Sequence, residues 1–283
     1  MWKHYLTPWS KGNKIWSYRD GKIFLGSRDN IGQQRFFYEA APLNDFERKL
    51  VESFIKSKHP TSYPVSFSTL QVYDVVANGN ELIRRNGIEE YHENIEHKAI
   101  PILEKIWKED LSWLDSMESK IDFSHFLGVQ YSRTNRGREV LSSNLREAET
   151  QFPKYKGMFD PEKLSKVYAL LMGDVIGNWV YASGNISILK NSTELEFVTG
   201  DQPVYNLDMK GKGQNEHATK FNLYYPISPK LALLITENPR VDRELTIDEV
   251  NEYNKFIVFC SHEQMYASKK ESLAIYKTDA KVC

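Results

Sequence analysis

A helical middle section flanked by strands at both ends of the chain predicts an α+β fold, in which an N-terminal hairpin and C-terminal strands build an antiparallel or mixed sheet. Three observations carry this expectation. Apolar residues recur at helical spacing from about residue 66 to 182. After Gly184 the period shifts to two. Near the start, Asp20-Gly21 separates two short alternating runs, a strong signal for a tight hairpin turn. No internal repeat and no Pro-, Gly- or Ser-rich linker interrupts the 283 residues. One domain over 1–283 is therefore expected, with a hairpin region 1–40, a helical region 41–182 and a strand-rich region 183–283 that ends in a helix.

Each element has a local reason. Lys14–Tyr18 and Lys22–Leu25 flank Arg19-Asp20-Gly21 as the two hairpin strands. The stretch from Ser27 to Tyr38 is mixed and polar. Asn44 or Asp45 caps a helix whose stripe is Phe46, Leu50, Val51, Phe54 and Ile55. Ile95, Ala99, Ile102, Leu103 and Ile106 share a face, and Pro101 marks a kink or register break. Phe123, Phe126, Leu127, Gln130 and Tyr131 form another face. Asp160-Pro161-Glu162 opens a helix as a cap followed by Pro at its first position. Strands are expected at 186–189, 195–199, 221–225, 231–235 and 264–267, with a polar loop over 210–220. Thr246 and Glu249 have capping-box spacing at the start of the last helix.

Composition excludes several classes. With 37 basic and 38 acidic residues the net charge is −1, which argues against broad, nonspecific phosphate binding as the main activity. Two cysteines, Cys260 and Cys283, make neither a disulfide framework nor a zinc spacing. The opening Met1-Trp2-Lys3-His4 lacks a signal-peptide layout, and no apolar run approaches about 18 residues, so a cytoplasmic protein with no membrane partner is expected. Gly-rich phosphate loops, Gly-x-Ser-x-Gly elbows, His-Glu-x-x-His helices and EF-hand loops are absent from the sequence.

Three constellations carry chemistry. In Phe197-Val198-Thr199-Gly200-Asp201-Gln202-Pro203-Val204, an acid stands where a strand ends. Such an acid suits metal or proton handling in a cleft, or it hydrogen-bonds turn backbone. Gln130 and Arg133 are three apart on one helical face, with Arg136 just beyond. Arg133 either clamps a phosphate or carboxylate bidentately or pairs with an acid inside the fold. Glu89, His92, Glu93 and Glu96 share a helical face with metal-ligand chemistry, which is otherwise a solvated charged face, and Glu96 borders the apolar stripe. His59, His125, His217 and His262 stand without a partner at catalytic spacing.

Several segments together resemble a bacterial family known as domain of unknown function 4238. They are Tyr5-Leu6-Thr7-Pro8-Trp9, Lys14-Ile15-Trp16-Ser17-Tyr18, residues 95–103, Gln130-Tyr131-Ser132-Arg133-Thr134, residues 197–204, Tyr225-Pro226-Ile227-Ser228-Pro229-Lys230-Leu231, and Glu249-Val250-Asn251-Glu252-Tyr253-Asn254. They fall in the family's order over nearly the whole chain. Members usually open with His-His-Tyr-x-Pro-Gln. That segment is missing here, and His4 does not stand at the place of the family's histidines. The resemblance implies a phage-defence or toxin-like effector. Joined to the constellations above, it leads to a nuclease acting on nucleic acid, with RNA a candidate substrate. In that reading Asp201 and Glu96 hold a divalent cation such as Mg or a water, Gln130 orients it, and Arg133 and Arg136 meet phosphate. The competing reading is a non-enzymatic sensor that binds a protein trigger.

Overall fold

The computed structural model describes residues 3–31, 39–210 and 218–277. It is α+β, with helices dominating and two sheets that are antiparallel except for one parallel pair. The expected segment Arg35-Phe36-Phe37-Tyr38, most of the 210–220 loop, His217 and Cys283 lie outside the described residues. The chain divides into two compact units, one drawn from Met1–Gln33, Leu103–Ser112 and Ala182–Cys283, the other from Gln34–Ile102 and Trp113–Tyr181.

In the first unit, β1 (Lys14–Arg19) and β2 (Lys22–Ser27) form the expected hairpin. Its turn places Asp20 at φ 50° and Gly21 at φ 74°, the two positive angles that a tight hairpin turn requires. Strand β1 also pairs with β9 (Gln264–Ala267), so Trp16 faces Ala267 and the two ends of the chain share one sheet. With β4 (Thr199–Gly200) its order is β2-β1-β9-β4. The second sheet runs β5 (Tyr205–Asn206), β6 (Leu223–Pro226), β7 (Leu231–Thr236), β3 (Asn185–Lys190), β8 (Arg243–Glu244). Helix α7 (Ile247–Cys260) starts with the Thr246–Glu249 capping box, and α8 (Lys270–Ala274) follows β9. Phe197, Tyr224, Val250, Ile257 and Tyr276 lie in the core of this unit.

One expected strand is corrected. Leu195 to Val198 form no ladder, because side chains and loop carbonyls take their backbone groups. Asn254, fully buried on α7, accepts the Val198 N–H at 2.9 Å and donates to the Glu196 carbonyl at 2.9 Å. The Phe197 N–H goes to the Pro229 carbonyl, and the Trp9 indole donates to the Phe197 carbonyl at 2.7 Å. These four buried groups are met without a neighbouring strand, as buried backbone requires.

The second unit is helical: α1 (Asp45–Lys56), α2 (Tyr63–Ala77), α3 (Glu81–Trp107, whose last residues from Leu103 belong to the first unit), α4 (Met117–Ser132), α5 (Asn135–Gln151) and α6 (Pro161–Ser183, whose last residues from Ala182 belong to the first unit). Asn44 and Glu47 form a reciprocal capping box on α1, and Asp160 caps α6 ahead of Pro161. Helix α3 runs on through Pro101. Val51, Ile55, Leu70, Tyr73, Leu164, Val167 and Leu171 pack together in one core.

Glycines bring α4 and α6 unusually close. A Cβ at Gly128 would sit 2.1 Å from the Gly173 carbonyl oxygen and 2.8 Å from the Gly177 nitrogen. Both are backbone atoms, so no side-chain rotation relieves the clash.

Candidate functional site

Asp201 follows directly on β4, in the first unit. Its Oδ1 accepts the His262 N–H at 2.8 Å, and its Oδ2 accepts those of Glu263 and Gln264 at 2.7 and 3.0 Å. Burial pushes the carboxyl up, and the three backbone N–H groups oppose that shift. Gly200 is needed beside it, since a Cβ there would meet the Ser261 hydroxyl at 1.9 Å and the Gln264 carbonyl at 3.1 Å. Nearby Glu196 does the same at the other end of β9, accepting the N–H groups of Ser268 and Lys269 at 3.1 and 3.0 Å. Both acids of this segment therefore hold the backbone on either side of β9.

The remaining residues singled out from the sequence fall in the second unit. Arg133, at the C-cap of α4, donates Nη1 to Glu96 Oε1 at 2.8 Å and Nη2 to Glu89 Oε2 at 2.6 Å. Of the two roles read for this arginine, pairing with acids inside the fold is the one observed, with one nitrogen on each of two carboxylates. Glu96 is 5% exposed and His92 1%, so this part of α3 turns inward, while Glu93 is exposed. Burial pushes the Glu96 carboxyl up, against the pull of the Arg133 guanidinium. It pushes the His92 imidazole well down, and the Arg133 charge adds to this. Gln130 is buried on α4, and Arg136 is half-buried in the first turn of α5. The structure thus joins Glu96, Glu89 and Arg133 directly, whereas Asp201 belongs to the other unit. Among the described residues, no group of three or more His, Cys, Asp or Glu is placed to hold a metal ion.

A second cluster was not legible as a site. Nε2 of His125, on α4, lies 3.3 Å from Oδ1 of Asp174, on α6. The Asp174 side chain is 2% exposed and that of His125 26%. Asp174 Oδ2 is buried without a hydrogen-bond partner among the described residues, an arrangement that costs about 1–3 kcal/mol or more for a charged group. A cavity of about 170 Å³ opens beside the pair, lined by Tyr91, Asn94, Ile95, Lys98, Asp122 and His125. Lys98 and Asp122 stand 3.6 Å apart. The Tyr91 ring meets His125 edge-on at 6.3 Å, and burial pushes its hydroxyl up to about 12. The contact lacks hydrogen-bond geometry, so His125 Nε2 is buried beside the acid without a hydrogen-bond partner among the described residues, while the ring lines the cavity. The sequence signal that could have pointed here is the trio of mid-helix glycines, since Gly128 is three residues from His125 and Gly173 adjoins Asp174.

The model of the family described as "Protein of unknown function (DUF4238)" matches residues 3–271. Neither a curated protein nor a solved structure matches the chain. The segments that carried the resemblance meet as structure. Tyr5 bonds to Thr199 and to the Pro226 carbonyl, Trp9 bonds to Phe197, and residues 95–103 and 130–134 supply the Glu96–Arg133 pair. No helix among the described residues is long and apolar enough to cross a membrane.

Proposed function

Taking as premise that this chain belongs to the DUF4238 family, we propose that it is a phage-defence or toxin-like effector acting on nucleic acid, with His125 as its proton-transfer group. The observation that carries this reading is the His125–Asp174 pair at the cavity edge. Nε2 is buried 3.3 Å from Asp174 Oδ1, so Nδ1 is the nitrogen left to exchange a proton with a bound substrate. Asp174 acts on His125 by its charge, at ion-pair distance. Lys98 supplies a positive charge on the cavity lining for a phosphate. The cavity is smaller than the roughly 300–1,000 Å³ that encloses a whole small ligand. A protruding unit of a long polymer is a better match.

This reading moves the chemistry away from Asp201 and Glu96, whose carboxylates are engaged by backbone N–H groups and by Arg133. The test is to express wild type, His125→Ala, Asp174→Asn and Asp201→Asn in bacteria. Growth, tRNA integrity and chromosome integrity are then compared with and without phage challenge, with melts on each purified protein. Loss of the phenotype in folded His125→Ala supports the reading. Equal phenotypes in wild type and folded His125→Ala overturn it.

One observation favours a second reading, a sensor that binds a protein trigger. Val75 near the end of α2 and Leu82 and Ile83 in the first turn of α3 are 74%, 70% and 43% exposed. Apolar side chains exposed in such proximity along the chain mark contact surfaces more often than enzyme sites. In this reading Leu82→Asp removes function while His125→Ala leaves it intact.

A further inference from the structure

We infer that the substrate class is RNA, cleaved by attack of its own 2′-hydroxyl, with His125 as general base and Lys98 as the group that protonates the leaving oxygen. This rests on the nucleic-acid reading above and deepens it.

The ionisable lining of the cavity is His125, Lys98, Tyr91 and Asp122. The Tyr91 hydroxyl, raised to about 12, stays protonated at neutral pH and does not serve as a base. Asp122 stands 3.6 Å from the Lys98 ammonium, the one Lys or Arg cation among the described residues that line the cavity. Imidazole is the side chain whose ordinary charge change falls near neutrality. One base of this kind, next to one cation, is a short list for phosphodiester cleavage.

An external-water mechanism asks the site to bind, orient and activate a third molecule. A ribonucleotide brings its nucleophile already attached beside the phosphorus, and such intramolecular placement supplies much of the barrier reduction. The needs then shrink to a base for the 2′-hydroxyl, a cation for the phosphate and a proton for the leaving oxygen. His125 and Lys98 cover these three needs.

Nδ1 of His125 takes the 2′-hydroxyl proton, and the 2′-oxygen forms a bond to phosphorus. The bond from phosphorus to the 5′-oxygen breaks, and that oxygen takes a proton from the Lys98 ammonium. The products are a 2′,3′-cyclic phosphate and a free 5′-hydroxyl. Water then returns a proton to Lys98 and receives one from His125, and no redox partner is involved.

The test uses the purified full chain with three oligonucleotides of one sequence: all RNA, all DNA, and RNA carrying a 2′-O-methyl group at each mapped cleavage position. Products are read by gel and by mass spectrometry of the termini. The expected result is cleavage of RNA to 2′,3′-cyclic phosphate ends, no cleavage of DNA, and loss of cutting at each methylated position. His125→Ala should lower the rate by about a hundredfold or more, and Lys98→Met should lower it while leaving the melting temperature unchanged. Cleavage of DNA as fast as RNA, or cutting at methylated positions, overturns the 2′-hydroxyl inference while the nucleic-acid reading stands. Absence of cleavage of all three overturns both.

Discussion

Asp201 and Gln264 are joined twice: the Asp201 N–H donates to the Gln264 carbonyl at 3.0 Å, and the Gln264 N–H donates to Asp201 Oδ2 at 3.0 Å. Of the two roles that the sequence allows this acid, backbone support is the one its geometry shows. The support crosses to a distant segment, at the start of β9, instead of closing its own turn.

Asp201→Asn should therefore change stability more than activity. An amide cannot accept at both positions, so its NH₂ would face at least one backbone N–H. Leaving a buried donor unmet costs about 1–3 kcal/mol. Urea melts should show that loss, and RNA cleavage per folded molecule should equal wild type. A tenfold fall in cleavage without a shift in the melt would return Asp201 to the chemistry.

Arg133→Met should be among the more damaging single changes in the helical unit. It strands the 5%-exposed Glu96 without its cation, and breaking such a buried pair typically costs about 3–5 kcal/mol. The double variant Glu96→Leu/Arg133→Met should recover most of that loss. Equal melts for the single and double variants would show that the pair is not the source.

Gly128→Ala tests the approach of α4 and α6. The added methyl would press on the Gly173 carbonyl and the Gly177 nitrogen. The cost should be about 1–3 kcal/mol or more, read in a denaturant melt. Since the same approach sets His125 against Asp174, catalytic loss should accompany it even in the folded fraction.

His92 gives the fold a pH dependence of stated sign. Burial holds its folded value well below the ordinary 6.5, with the Arg133 and His125 charges acting in the same direction. The unfolded chain then binds a proton that the folded chain refuses. Its contribution is complete above pH 6.5 and erodes as pH falls below it, by up to about 1.4 kcal/mol per pH unit. Melting temperatures between pH 7.5 and 5 should fall along that slope, and His92→Asn should flatten the curve.

Local signals were legible where a residue reports its own backbone. Asp20-Gly21, the Asn44 cap, the Thr246–Glu249 box and Asp160-Pro161 all stand where their chemistry predicts. The extended 195–198 segment misled because its alternation is that of a strand, while its partners are side chains and a loop carbonyl distant in sequence, among them the buried Asn254 amide. The His125–Asp174 pair has no local spacing at all. It exists because two helices touch at glycines, so reading it requires knowing which helices meet.

The pairing of β1 with β9 also sets an order of events during synthesis. Trp16 leaves the ribosome early and must wait for Ala267 before its strand has that neighbour. The helical segments emerge in between, so their unit can condense while the first hairpin still has an unsatisfied edge. Pairings so distant along the chain form slowly, and an open strand edge invites association with other chains. Newly made protein truncated before β9 should therefore retain helical structure and aggregate through the exposed side of β1.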